Sequence, residues 1–184
     1  MKSDKIQQFF HLAGQVCGDE FHEGSDSDRE LGAQLLLSEV LEYVIHGLGV
    51  TPYIDGQPIT KPNDVVYKAN GGRPDREEML DGLADVAYTM FWNKVKFGIP
   101  LESAFELVCD NNLSKFVRLD EWQQGAGILS EAEWHLNQEV TWPESVVSVE
   151  VLEVRGTFFA VGKDSTGKVR KPSTYASVDL SSLL

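Results

Sequence analysis

Along most of the first 120 residues the apolar positions recur every three or four residues, the period of a helix with a packed side. Ile6, Phe9, Phe10 and Ala13 share one side of a helix predicted over residues 2–16. Ser27 and Glu30 have the spacing of a capping box, which predicts a second helix from about residue 28 to about His46, before Gly47 and Gly49. Asp75 with Glu78 predicts the start of a third helix, running to about Phe97 and stopped by Gly98. Pro100 suits the opening of a fourth, which reaches about Phe116. A short capped helix is predicted from Ser130 to about Leu136. The period changes over 146–162, where Val147, Val149 and Val151 alternate with Ser148 and Glu150. That is strand spacing, and Arg155-Gly156 turns it into Thr157-Phe-Phe-Ala-Val161, a β-hairpin.

Two segments interrupt the helices. Residues 49–74 are rich in glycine and proline, and Asp55-Gly56 has the composition of a tight hairpin turn between short extended pieces. An excursion of this length between helices tends to be functional or disordered. The tail from Lys163 to Leu184 is irregular, with Gly167, Pro172 and several serines.

The second and third helices carry an energetic anomaly. On a wheel at about 100° per residue, Leu37, Val40, Leu41, Val44 and Leu48 make one stripe of the second helix. Glu39, Glu42 and His46 fall roughly opposite, beside Leu31 and Leu35. In the third, Met79, Leu83, Val86 and Met90 make the stripe, with Glu78, Asp81, Asp85, Tyr88 and Trp92 opposite. A helix apolar on two sides is normally buried. Acids three or four residues apart project from one helix face about one turn apart. Two such helices face to face would repel in a low-dielectric site unless a cation met them. Mg²⁺, with Mn²⁺ as a substitute, takes oxygen ligands and keeps waters that phosphate groups can replace. The alternative is a pair of solvated helix faces with the acids turned to water.

Composition narrows the classes of function. The chain has 184 residues, 42% hydrophobic and 24% charged, and reads as one soluble domain, residues 1–184, with insertions at about 49–74 and 120–162. The start lacks a signal-peptide pattern and no stretch reaches membrane-spanning length, so the expectation is a cytoplasmic protein with no membrane partner. Cys17 and Cys109 lie far apart and read as reduced thiols. A formal net charge of −13 argues against binding a nucleic-acid backbone. It does not argue against a small anion, because a bound divalent metal inverts the local field. In the tail, Lys163, Lys168, Arg170 and Lys171 outnumber Asp164, a local basic stretch in an acidic chain.

The run Asp81-Gly-Leu-Ala-Asp-Val-Ala-Tyr, then Phe97-Gly-Ile-Pro-Leu, Ala104-Phe-Glu and Asn112-Leu-Ser-Lys115, resembles the all-α nucleoside triphosphate pyrophosphohydrolases. Phe10-His-Leu-Ala-Gly-Gln15 and Gly167-Lys-Val-Arg-Lys-Pro172, with Tyr175 and Asp179-Leu180, are similar to the first helix and closing segment of the phosphoribosyl-ATP pyrophosphohydrolase-like branch. That branch is related to MazG-like and dimeric dUTPase enzymes. The resemblance covers roughly residues 6–48, 76–119 and 163–184.

The resemblance implies an all-α core of four-helix-bundle type, here with a small β-hairpin insertion near the C-terminus. It implies Mg²⁺-dependent cleavage of the α–β phosphoanhydride of a (deoxy)nucleoside triphosphate to monophosphate and pyrophosphate. Carried over by residue, Glu39, Glu42, Glu78, Asp81 and Asp85 are the metal-holding set, with the division of labour between Glu78 and Asp85 left open. Glu39 is the candidate base. Asn112 and Lys115 match residues that approach the phosphates or sugar, and Lys168 and Lys171 lie in the closing segment. A homodimer or homotetramer is implied, since a single layer of four helices can hardly cover two-sided apolar helices. Ser38 stands where many relatives carry a further glutamate. Two alternatives follow: an inactive nucleotide-binding relative, or an acidic helical protein that mimics nucleic acid or binds a basic partner.

Overall fold

A five-stranded antiparallel sheet, absent from the all-α expectation, organises more than half of the chain. The computed structural model describes residues 4–15, 17–18, 20–136 and 140–184. Among them are four α-helices: α1 (Asp4–Ala13), α2 (Asp26–Glu42), α3 (Arg76–Phe97) and α4 (Leu101–Leu113). The strands are β1 (Tyr53–Ile54), β2 (Gln57–Pro58), β3 (Val117–Leu119), β4 (Gly127–Ile128), β5 (Val146–Val154), β6 (Thr157–Asp164) and β7 (Val169–Arg170). The protein is therefore mixed α/β, and the expectation of an all-α core with a small hairpin is overturned. The hairpin β5–β6 is the centre of the sheet rather than an insertion, with order β3-β6-β5-β4 and β7 also on β6.

The physical reason lies in what β5 and β6 bury. Val149, Val151, Ala160 and Val161 are wholly inaccessible to solvent. Ala160 and Val161 point to opposite faces, so the hairpin needs cover on both sides, which two strands alone cannot supply. On one face Val149, Val151 and Ala160 pack with Val117, Leu119, Leu136 and Val140, ringed by Trp122, Trp134 and Trp142. On the other, Val161 packs with Leu12 and Ala13 of α1, Phe116 and Leu113, and Phe9 stacks edge-on to Phe116. A register irregularity between Val146 and Ser148 turns Val147 outward to 60% exposure, so this valine leaves the inward series that alternation predicted.

The chain divides into two compact units: Met1–Asp19 with Thr89–Leu184, and Glu20–Tyr88. The sheet, α1 and α4 belong to the first. In the second, Ser25 caps α2: its hydroxyl accepts the Asp28 N–H, and Asp28 returns the bond to the Ser25 N–H. The box thus lies two residues before the predicted Ser27–Glu30 pair. Glu30 instead accepts the Ala69 N–H at 2.7 Å, fastening the long excursion to the helix. Past Glu42 the helix widens into a π turn, Tyr43–Gly47. The Asp55-Gly56 hairpin forms as expected, both residues having positive φ, as the two-residue turn between β1 and β2 requires. Predicted ends of the first helix at residues 2 and 16 lie outside the described residues. No helix among the described residues is long and apolar enough to cross a membrane.

Candidate functional site

Two sets of residues carry the predicted chemistry, one in each unit. The acids belong to Glu20–Tyr88. Glu39 and Glu42 stand in the last turns of α2, and Glu78, Asp81 and Asp85 in the first half of α3. Asp75 caps the start of α3 by accepting the N–H groups of Glu77 and Glu78. All five carboxylates are exposed. None makes an ion pair or a side-chain hydrogen bond within the described residues.

The single chain does not gather them. α2 packs chiefly on the 3-10 turn Pro62–Asp64 rather than along α3. Among the described residues no three His, Cys, Asp or Glu side chains converge as a metal cage. In kind the donors suit Mg²⁺, being carboxylate oxygens one turn apart with no cation of their own. His46, in the π turn, is exposed, as are Tyr88 and Trp92, so none of the three is a core residue. Ser38 donates its hydroxyl to the Leu35 carbonyl at 3.2 Å, a local helix bond.

The acids share their helices with uncovered apolar side chains. Leu31, Leu35, Leu36 and Val40 of α2 are between 40% and 51% exposed, and Leu80 and Leu83 of α3 exceed 60%. Leu41 is the buried residue of α2 and none of α3 is buried.

The second set belongs to the sheet-bearing unit. Lys115 donates to the Asn112 Oδ1 at 2.6 Å and lies 5.7 Å from the centroid of the Phe9 ring. Asn112 also lines a small cleft of about 220 Å³ with Lys5, Ile6, Phe9 and Cys109. Hydrogen bonds to Asp110 and Glu106 raise the pKa of Lys5, and burial, with Glu106 nearby, raises that of the Cys109 thiol.

The basic tail is partly neutralised from within. Lys163 lies on β6 and pairs with Glu150 at 3.0 Å, and Arg170 pairs with Asp164. Asp164 also accepts the Thr166 hydroxyl and the N–H groups of Thr166 and Lys168, which holds its carboxyl far below the usual range. Lys168 and Lys171 stay exposed, and the Lys171 ammonium sits 4.5 Å from the centroid of the Tyr175 ring.

Two features escaped the pattern reading. Asn111 receives the Tyr175 hydroxyl and donates to the Ala176 carbonyl at 2.6 Å. Contacts across more than sixty residues leave no periodic trace, and only the neighbouring Asn112 drew notice to this turn. In the other unit, a cleft of about 540 Å³ is lined by Arg29, Glu30, Tyr67, Lys68 and Arg73 among others. The Tyr67 hydroxyl is buried without a hydrogen-bond partner among the described residues.

No protein-family model, curated protein or solved structure matches the chain.

Proposed function

We propose that the protein is a Mg²⁺-dependent nucleoside triphosphate pyrophosphohydrolase, which cleaves a (deoxy)nucleotide between its α and β phosphates to give monophosphate and pyrophosphate. One observation carries the reading: five carboxylates, spaced one turn apart on two helices, lack a cationic partner among the described residues while sharing those helices with exposed apolar side chains. Solvated acidic faces do not ordinarily carry leucines at half exposure. Helices that bundle with a second copy around a metal–phosphate site would.

In this reading Glu42, Asp81 and either Glu78 or Asp85 hold the metal. When bound, Mg²⁺ neutralises developing charge and lowers the pKa of a coordinated water. Glu39 takes the proton of the attacking water. Asn112, Lys115, Lys168 and Lys171 bind the phosphates. The assembly is a homodimer or homotetramer.

The test is incubation of the purified protein with a panel of NTPs and dNTPs, in Mg²⁺ and in EDTA. Pyrophosphate and monophosphate should form only with metal, and Glu42→Ala and Asp81→Ala should each reduce turnover to background. Release of single phosphates would reject α–β cleavage, and an active Glu42→Ala protein would refute the metal assignment.

The exposure of all five acids also favours a second reading, an acidic surface that docks a basic partner without catalysis. It predicts no turnover with any nucleotide and no Mg²⁺ binding.

A further inference from the structure

Where the long excursion returns to α2 it builds a cleft that none of the five predicted acids lines. The cleft measures about 540 Å³, inside the range of small-molecule sites, about 300–1,000 Å³. Its walls come from the start of α2 and from residues 66–75, all within Glu20–Tyr88. Three local contacts hold them. The Ala69 N–H bonds Glu30 at 2.7 Å, the Gly72 N–H bonds the Asn70 Oδ1 at 2.9 Å, and Arg73 pairs with Glu23 at 3.2 Å. Walls fixed in advance avoid much of the ordering cost of binding.

Charge is gathered here against the trend of the unit. Glu20–Tyr88 has fourteen Asp and Glu but five Lys and Arg: Arg29, Lys61, Lys68, Arg73 and Arg76. Three of these five line the cleft. Its two acids, Glu30 and Asp75, hold backbone N–H groups, so the lining keeps a net charge of +1. Arg29 is committed to the Glu23 and Gly24 carbonyls and to Asp26. Lys68 makes no ion pair among the described residues, and the Arg73 side chain stays 85% exposed in its pair with Glu23. Lys68 and Arg73 are thus the two cations open to an anion. Tyr67 lies between them in sequence and Val66 and Pro74 beside them, all three in the lining. The Tyr67 hydroxyl is shut from solvent without a partner among the described residues, a condition that a bound ligand relieves.

We propose that this cleft is a second small-molecule site, which binds a nucleoside monophosphate without metal. Lys68 and Arg73 take the phosphate, Tyr67 hydrogen-bonds the nucleoside, and the base lies on Val66, Pro74 and the Tyr67 ring. A phosphate monoester carries nearly two negative charges at neutral pH, which matches two open cations, and the Arg73 guanidinium offers it a planar fork. The choice of a nucleotide rests on the proposed function, whose product is the monophosphate. The phosphate-monoester site does not depend on it.

The experiment is calorimetric titration of the full chain with a panel of nucleoside monophosphates in EDTA at low salt, with ribose 5-phosphate as the probe that lacks a base. A nucleotide should bind, and more tightly than ribose 5-phosphate. Lys68→Ala and Arg73→Ala should each weaken it about tenfold, the scale of one charge-assisted contact. Lys61→Ala, which removes a cation of the same unit outside the cleft, should leave affinity unchanged. Tyr67→Phe should weaken the nucleotide about fivefold while the thermal midpoint of the free protein holds or rises, because the variant deletes an unsatisfied hydroxyl. A merely structural hydroxyl would do the opposite, lowering the midpoint and sparing affinity. The proposal is overturned if no monophosphate binds, if Lys68→Ala and Arg73→Ala keep full affinity, if Lys61→Ala costs as much as they do, or if ribose 5-phosphate binds as tightly as any nucleotide. Binding that depends on Lys68 and Arg73, with no nucleoside triphosphate hydrolysed in Mg²⁺, would leave the site standing and the enzyme reading refuted. Hydrolysis without such binding would mean the reverse.

Discussion

Asp164 sits at the end of β6, 8% exposed, inside a turn that supplies it with two backbone N–H groups, a hydroxyl and the Arg170 guanidinium. The Thr166 hydroxyl bond is the largest of the effects that depress its pKa. A carboxyl with a depressed pKa in the folded state stabilises the fold above the unfolded value, about 3.9, and that contribution drains away as pH falls below it toward the folded value. Asp164→Asn should therefore be less stable than wild type at neutral pH, with the difference shrinking between about pH 4 and the acid limit of measurement. Urea unfolding at a series of pH values reads this, and a gap that stays constant with pH would refute it. The same turn explains what could be seen of the tail from the sequence. Its basic character was legible, but the commitment of Arg170 to Asp164 and of Lys163 to Glu150 was not. Such pairings are set by sheet register, which a list of charges does not contain.

Among the elements, the helices were legible and most strands were not. Capping acids, Gly98 and the apolar period marked α2, α3 and α4 to within a few residues. The box of α2 moved from Ser27 to Ser25 because Glu30 was claimed by the Ala69 N–H, 39 residues away. β3, β4 and β7 are two or three residues long, too short for any alternation to register, and they exist because β5 and β6 offer hydrogen-bonding edges. The tightest constraint in the sheet is equally silent in sequence. A Cβ at Gly162 would lie 2.4 Å from Trp142 Cε3, so the indole lies directly on the β6 backbone. Gly162→Ala should cost about 1–3 kcal/mol as overpacking. The thermal midpoint should fall, and a Trp142→Leu background should recover part of the loss. Additive losses in the double variant would show that the contact is not the cause.

At the scale of the whole molecule, the sequence indicated helices apolar on two sides, and the structure buries Leu41 but leaves Leu31, Leu35, Leu36, Val40, Leu80 and Leu83 exposed. The acidic pairs were visible because spacing on a helix is local information. What those acids face was not, because it depends on whatever packs against α2 and α3. If a second copy supplies that layer, light scattering should find a dimer or tetramer, and Leu35→Glu with Leu83→Glu should yield a monomer that has also lost Mg²⁺-dependent turnover. A wild-type monomer that still hydrolyses nucleotides would remove the need for a partner. The division of the chain has a further consequence, for synthesis. Glu20–Tyr88 is continuous and has all its parts once they emerge, whereas α1 belongs with residues beyond Thr89. Its packing face, Leu12 and Ala13, waits for Phe116 and then for Val161. At ribosomal rates of about 5–20 residues per second, that is a delay of roughly 7–30 s. During it the first helix made is the last to find its seat, and a nascent-chain chaperone has its longest opportunity there.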